Sequence, residues 1–426
     1  MRYAKYKPTG IAWLPEVPEG WEMVRNKTFL TITDEKVGGR KNEFTLLSLT
    51  KQGVIVRDLS EMKGKFPKDF DTYLVVRPSN LVFCLFDVDE TPRTVGLVRN
   101  VGMLTGAYTN FKVDNALVLP EFACYYYLHV DDAKKLRPYY TGLRKVIKTN
   151  TFLQLRFPRP PLNEQRAIVA YLDEKCGKVD RLVAAKEKEA ALLKELKQSM
   201  IAEAVCGKEK VKGEGEQRKM KPSGIPWIPE VPEGWKLVRN KTFLKLTDEK
   251  VGSRKDDFTL LSLTKQGVIV RDLTEMKGKF PKDFDTYLVV RPNNLVFCLF
   301  DVDETPRTVG LVKNVGMLTG AYTNFEVDQS VVLPEFAYYY YLHVDDAKKL
   351  RPYYTGLRKV VKTNTFMQLR MPVPPLAEQR EIVAYIEARA AKIDAAVKRL
   401  EREVAALKEY KQRLIADVVT GQRKVA

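Results

Sequence analysis

Two kinds of apolar pattern alternate along this chain, and each occurs twice. The first is a set of short runs rich in β-branched and aromatic residues: FTLLSLT (44–50), TYLVVRP (72–78) and NLVFCLF (80–86). Turn residues flank them, and their lengths suit strands. PEFACYYYLHV followed by DDAKKL (120–136) reads instead as a helix opening at Pro120. VPEGW, at 17–21 and 231–235, reads as a turn that places a tryptophan on the domain. FPRPPLNEQ (157–165) and MPVPPLAEQ (371–379) then interrupt the pattern, their prolines suiting the run-up to a helix start. Asn163 suits an N-cap in the first of these, whereas Ala377 cannot act as one in the second.

The second pattern follows. Ile386, Ala390, Ile393, Val397, Leu400, Val404, Leu407, Lys411, Leu414 and Val418 step by four and three without a break, a heptad seam. Leu172, Cys176, Val179, Val183, Lys186, Ala190, Leu193, Lys197, Met200 and Ala204 form a more polar version. Each seam ends near a glycine, Gly207 or Gly421, as helices often do. The 42 residues from Asn163 to Ala204 would span about 60 Å as a helix. A helix of that length with one apolar stripe needs a partner. The two seams can face each other antiparallel, which suits Lys186 and Lys197 better than packing of each helix on its own domain.

The alternation reflects a repeat. An offset of 214 links Trp13 to Trp227, Trp21 to Trp235, His129 to His343, Gln165 to Gln379 and Gly207 to Gly421 without a gap. Two units this long are copies of a domain-sized module and not a solenoid. Phe44–Phe111 differs from Phe258–Phe325 at three of 68 positions: Ser60/Thr274, Ser79/Asn293 and Arg99/Lys313. Asp180–Cys206 and Asp394–Thr420 share only 13 of 27 positions. Identical partners for the globular parts, or a recent duplication confined to them, would each leave this pattern.

The expected organisation is therefore α+β: globular mixed domains at 1–160 and 221–374, long helices at 161–207 and 375–426 forming an antiparallel coiled-coil spacer, and a charged linker at 208–220.

Net charge is +18 over 426 residues. Such a surplus favours a polyanionic partner, because Lys and Arg contacts to phosphate release counterions; a membrane surface or plain solubility are the other readings. The five cysteines fit neither a disulfide framework nor a zinc site. With no apolar signal region and no run of about 18 apolar residues, the expected location is the cytoplasm.

Catalytic patterns are missing. There is no phosphate loop, no G-x-G-x-x-G, no G-x-S-x-G and no [NDS]-P-P-[FYW]. His129 and His343 read as packed helix residues. Asp87, Asp89 and Glu90 in FDVDETPR form an acidic cluster that reads as a polar loop in preference to a metal site. No cofactor is expected in this chain.

What stands out instead is a basic stretch. From Ala133 to Asn163 there is no acidic residue, while Lys134, Lys135, Arg137, Arg144, Lys145, Lys148, Arg156 and Arg159 are basic. RPYYTGLRKV recurs letter for letter at 137–146 and 351–360. A basic, acid-free run interleaved with hydroxyls and amides suits a phosphate-lined surface, and Arg and Asn can read base edges. A solvated basic face is the plainer alternative. TPRTVG (91–96, 305–310) and TGAYTNF (105–111, 319–325) read as further polar recognition loops. The candidate DNA-contacting residues are Arg93, Thr94, Tyr108, Thr109, Asn110, Arg137, Tyr140, Arg144, Lys145, Lys148 and Asn150. Their second-copy counterparts are Arg307, Thr308, Tyr322, Thr323, Asn324, Arg351, Tyr354, Arg358, Lys359, Lys362 and Asn364.

Two further stretches carry a resemblance. GIAWLPEVPEGWEMVR has its copy GIPWIPEVPEGWKLVR, and PPLNEQ opens a helix that runs to AVCGK. Pro160, Pro161, Glu164, Gln165, Ile168, Leu172, Ile201, Val205 and Gly207 fall on the pattern of the specificity subunits of type I restriction–modification systems, which the whole architecture resembles. The resemblance implies two target-recognition domains, each reading half of a split site in double-stranded DNA. It implies helices that fix the gap and bind two methyltransferase subunits, with a motor–nuclease subunit able to join. S-adenosylmethionine and ATP would belong to those partners. Family members typically carry dissimilar recognition domains, whereas these are near-copies, so the expected site is palindromic. The competing readings are a nuclease or methyltransferase with an unrecognised active site, and a coiled-coil scaffold that binds only protein.

Overall fold

The computed structural model describes residues 2–57, 69–208, 218–271 and 283–425. Most of the expected linker, and the Ser60/Thr274 difference, lie outside the described residues. The chain divides into two compact units, one made of Met1–Glu187 with Arg402–Ala426 and the other of Lys188–Glu401.

In the first unit the strands are β1 (Tyr6–Ile11), β2 (Leu14–Pro18), β3 (Glu22–Arg25), β4 (Leu30–Thr33), β5 (Leu47–Thr50), β6 (Gly53–Val56), β7 (Leu74–Val76), β8 (Leu81–Phe83), β9 (Val95–Leu97), β10 (Gly102–Leu104), β11 (Thr109–Val113) and β12 (Arg156–Arg159). The helices are α1 (Pro120–Asp132), α2 (Thr149–Gln154) and α3 (Leu162–Val205). The other copy repeats every element at the 214-residue offset, from β13 (Met220–Ile225) to β24 (Arg370–Val373), with α4 (Pro334–Asp346), α5 (Thr363–Gln368) and α6 (Leu376–Val419).

The apolar runs become strands where the sequence places them. NLVFCLF supplies β8, which lies inside an antiparallel sheet of order β4-β11-β8-β9 and is buried along its whole length. That explains its unbroken apolar character, since a strand covered on both faces has no solvent side to alternate with. TYLVVRP supplies β7, paired with β10, and FTLLSLT supplies β5, paired with β6. α1 opens at Pro120 as expected but stops at Asp132, so Lys134 and Lys135 lie beyond it; Lys134 takes a positive φ of 49°.

The proline-rich entry to α3 corrects the capping expectation. The helix begins at Leu162, and the Pro161 carbonyl accepts from the Glu164 and Gln165 amides at 2.9 Å each. Asn163 thus lies within the first turn, and the copy with Ala377 starts at the equivalent Leu376. Gln165, fully buried, does the work expected of a cap, but for a different helix. Its Oε1 accepts from the Leu119 amide at 2.8 Å, at the start of α1, while Nε2 donates to the carbonyls of Leu117 (3.1 Å) and Pro160 (2.8 Å). Gln379 repeats the arrangement with Leu333, Val331 and Pro374.

The core of the first unit gathers Trp21, Phe29, Phe83, Phe111, Phe122, Tyr126, Phe152 and Phe157. It also takes Ile168, Leu172 and Cys176 from α3, and Leu414, Ile415, Val418 and Val419 from the end of α6. Gly421, at φ +73°, stops α6 where a Cβ would lie 2.3 Å from Pro18 Cδ and 3.3 Å from the Trp21 ring. The second unit is built in the same way: the end of α3 brings Met200, Ile201, Ala204 and Val205 against Trp235 and Ile386, and Gly207 seats on Pro232 and Trp235.

Within each unit the helices pair antiparallel. In the first, Lys411 Nζ lies 2.7 Å from Asp180 and Lys408 lies 2.7 Å from Glu187, while Lys186 pairs with Glu403. In the second, Lys197 meets Asp394 at 2.7 Å and Lys194 meets Glu401 at 2.9 Å. The seam lysines therefore bridge outward to the facing helix. No helix among the described residues is long and apolar enough to cross a membrane.

Replacing Gln165 by Ala leaves an orphaned helix-terminal amide and two buried carbonyls, each group worth about 1–3 kcal/mol. Gln165→Ala is expected to lower stability by roughly 2–4 kcal/mol, whereas Lys411→Ala, at an exposed pair, should cost about 1 kcal/mol or less. Chemical denaturation of both variants checks the ranking.

Candidate nucleic-acid interface

The basic stretch leaves the core at Leu136 and returns to it at Ile147, both buried. Between them runs a short 3-10 turn, Arg137–Tyr139, and then a tight hairpin. Thr141 and Val146 exchange backbone hydrogen bonds at 3.0 and 3.1 Å, and the Lys145 amide closes the turn onto the Gly142 carbonyl at 3.0 Å. The turn demands positive φ at Gly142 (73°) and at Lys145 (45°). A lysine is an uncommon occupant of that region, and such a conformation persists when surrounding contacts enforce it.

Those contacts come from the acidic cluster. The Asp87 amide donates to the Arg144 carbonyl at 2.7 Å, and the Ile147 amide to the Leu85 carbonyl at 2.8 Å. Asp89 accepts from Arg137 Nε at 3.0 Å on one oxygen and from the Tyr140 hydroxyl at 3.0 Å on the other. Arg144 reaches Asp87 at 3.1 Å, and Lys145 reaches Glu90 at 3.0 Å. FDVDE is thus the cradle of RPYYTGLRKV. Among the described residues no group of three or more acidic, His or Cys side chains is placed to hold a metal.

The second copy reproduces the cradle, with Arg351 and Tyr354 on Asp303, Arg358 on Asp301 and Lys359 on Glu304. The hydrogen bond from Arg351, ahead of that from Tyr354, holds the Asp303 carboxyl below its usual range. Desolvation opposes the same shift at Asp89, and the bonds from Arg137 and Tyr140 outweigh it. Lys145 is pushed up by its bond to Glu90.

Two more candidate segments meet this loop. Phe86 carries the Arg144 guanidinium over its ring at 5.2 Å, and Tyr108 stacks beside it at 6.3 Å between centroids. Tyr108 is half-buried, as is Thr109. Arg137 and Arg144 keep 62% and 71% of their side chains exposed despite their pairs, so they remain able to meet a ligand. Lys148 and Asn150, at the entry to α2, are exposed; Lys145 and Tyr140 are half-buried. The base of the loop is fixed by fully buried Asn26, which donates to the Phe152 carbonyl in α2 at 2.8 Å and accepts from Tyr127 in α1.

The remaining candidates lie elsewhere. Thr94 and Asn110 are interior residues, 1% exposed, as are Thr308 and Asn324 at 3% and 1%. The expected recognition loops run directly into β9 and β11, so their last residues belong to the sheet and not to a loop. The Asn110 amide donates to Thr33 at 2.6 Å. Arg93 lies 3.3 Å from buried Asp131 and 2.7 Å from Asp132, while the Thr94 amide donates to Asp131 at 3.0 Å. Arg93 and Arg307 are clasps between a loop and α1 or α4, not part of the exposed basic surface. The second-copy residues Tyr322, Thr323, Lys362 and Asn364 are placed as their first-copy counterparts.

One residue at this site carries no charge and was not among the candidates. Leu143, at the tip of the turn, is 102% exposed, and so is Leu357; among the described residues the other exposed large apolar side chains range from 38% to 56%. A leucine in that position forgoes roughly 1.5–3 kcal/mol of burial. The signal available in the sequence was an apolar residue at the centre of T-G-L-R-K, where turn chemistry favours a polar one.

No family model matches this sequence, and no curated protein does. Among solved structures it is similar to a chain from a type I R-M system, in work on complex assembly and conformational transition, with 15% identity, coverage of 95% of this chain and 98% of that chain, and a TM-score of 0.65. It also aligns with the HsdS subunit from Thermoanaerobacter tengcongensis (15% identity, 96% and 98% covered, TM-score 0.45) and with the type I restriction–modification S subunit from M. genitalium (11%, 93% and 96%, 0.37). The likeness to the first extends over both chains and establishes the fold.

The cradle has a pH signature. Because the folded Asp89 and Asp303 titrate below the unfolded value of about 3.9, their anchoring is complete above that value and is lost as pH falls through the lower folded one. Asp89→Asn with Asp303→Asn should reproduce the acid state at neutral pH. Faster amide exchange is expected at Lys145, Val146, Lys359 and Val360, with the global unfolding midpoint little changed.

Proposed function

We propose that this chain is the DNA-recognition subunit of a type I restriction–modification complex, each unit reading one half of a bipartite site. The observation that carries this reading is the duplication of one exposed basic loop, Arg137–Asn150 and Arg351–Asn364, on two units that share every element. The likeness in fold to a type I R-M chain over 95% of the sequence supports it, as does the net charge of +18.

Recognition would divide between two kinds of group. Arg137, Arg144 and Lys148 would meet phosphates, which position the loop without reading sequence. Tyr140 and Asn150, with Tyr108 at the edge of the cluster, would supply polar contacts to base edges. The acidic cradle presets the geometry of the basic side chains, so that little rotamer entropy is lost on binding. Loops that differ only at buried Ile147/Val361 imply identical half-sites, and we infer a palindromic bipartite target. Helices α3 and α6 would set the spacing and carry two methyltransferase subunits, to which a motor–nuclease subunit can be added. Adenine methylation with S-adenosylmethionine, and ATP-driven translocation, would be the work of those subunits.

Selection of random duplexes by the chain co-expressed with its methyltransferase partner tests the reading. One bipartite palindromic sequence is the expected product; an asymmetric sequence would overturn the palindrome and retain the recognition role. On the selected duplex, Arg144→Ala with Arg358→Ala should weaken binding and reduce the slope of log K against log salt by about 1 per lost phosphate contact. Arg93→Ala should act differently: its buried partner Asp131 loses a counter-charge, so the midpoint of unfolding falls.

A further inference from the structure

We propose that Leu143 and Leu357 are wedges that enter the DNA groove and part a base-pair step in each half-site. The proposal rests on the DNA-recognition reading and adds to it a residue type that reading does not require. Phosphate contacts and base-edge hydrogen bonds need charge and polarity at the loop tip; the tip instead carries a branched apolar side chain, fully exposed in both units.

Three features of the turn fit this task. The first is shape. Thr141 and Val146 close a two-stranded neck, and the Lys145-to-Gly142 hydrogen bond leaves Leu143 and Arg144 at its apex, a tight turn with two residues at its tip. The second is rigidity. Lys145 is held at φ 45° and Lys359 at 44°, and Arg144 is pinned by its carbonyl to the Asp87 amide and by its side chain to Asp87 and Phe86. A flexible apolar tip would fold back onto the surface, whereas this one is braced away from it. The third is charge placement. Arg144 and Lys145 follow Leu143 directly, so cations would face the backbone phosphates on either side of the parted step. Apolar side chains inserted between base steps in this way unstack and kink the duplex, usually from the minor groove.

The test uses the full chain in its complex and the duplex obtained by selection, with 2-aminopurine substituted at successive positions of each half-site. Wild-type protein is expected to raise the fluorescence at one step in each half. Because a palindromic site is bound in either orientation, Leu143→Ala and Leu357→Ala should each roughly halve the signal at both half-sites and the double variant should abolish it, with affinity about tenfold weaker per wedge removed. Leu143→Met should restore signal and affinity, since it keeps an apolar side chain of similar reach. Thermal midpoints should match wild type, because the side chains are fully exposed. Wild-type binding without a fluorescence rise overturns the wedge and leaves the recognition role standing. So does a Leu143→Ala, Leu357→Ala variant that keeps the signal, or one that loses affinity without losing it. A wild-type complex that selects no DNA overturns both readings.

Discussion

The structure depends on the seating of one helix end on the opposite copy's domain. In each unit the aromatic core is complete only when the last turns of the long helix from the other copy are packed against it. In the first unit Leu414, Ile415, Val418 and Val419 join Trp21 and Phe122 in a single core, and Gly421 passes Pro18 so closely that no side chain would fit there. Gly207 does the same against Pro232 in the second unit. The ion pairs between helices follow the same rule: Lys411–Asp180 in one unit is Lys197–Asp394 in the other, shifted by 214. Each helix must therefore satisfy two cores, one at each of its ends.

On that frame the exposed loop is built by charge pairing within the domain. A run of cations at the surface would repel itself and move; Asp87, Asp89 and Glu90 remove that repulsion and fix the turn. The pairs are exposed enough to contribute little to global stability. Their effect is local order, and it is local order that a surface for recognition requires.

Much of this was legible in the sequence, for identifiable reasons. The heptad seams were, because every seam position from Leu172 to Ala204 must be shielded while its neighbours face water. The strands were, because short apolar runs such as NLVFCLF, rich in β-branched and aromatic residues and flanked by turn residues, suit a covered sheet better than a buried helix. Four things were not. Asn163 looked like a cap because capping propensity is local, whereas the group that takes over, Gln165, bonds the start of a helix 46 residues earlier. Thr94 and Asn110 looked like loop residues because polarity alone cannot show that an amide is buried with a threonine as its partner. The acidic FDVDE and basic RPYYTGLRKV segments looked independent, since arginine–carboxylate pairs 48 to 57 residues apart leave no periodic trace. Leu143 was hidden by the opposite habit, the expectation that an apolar residue belongs inside.

The division of the chain has a consequence for biosynthesis. The second unit is one continuous stretch, Lys188–Glu401, while the first needs both Met1–Glu187 and Arg402–Ala426. Nascent chains ordinarily fold their N-terminal domain first. Here the division of the chain favours the reverse order. The unit begun first must wait, its aromatic core uncovered at Trp21, until the ribosome has made Val418 and Val419, by which time the later unit can already be complete. The first domain is thus the one whose core waits longest for its last residues.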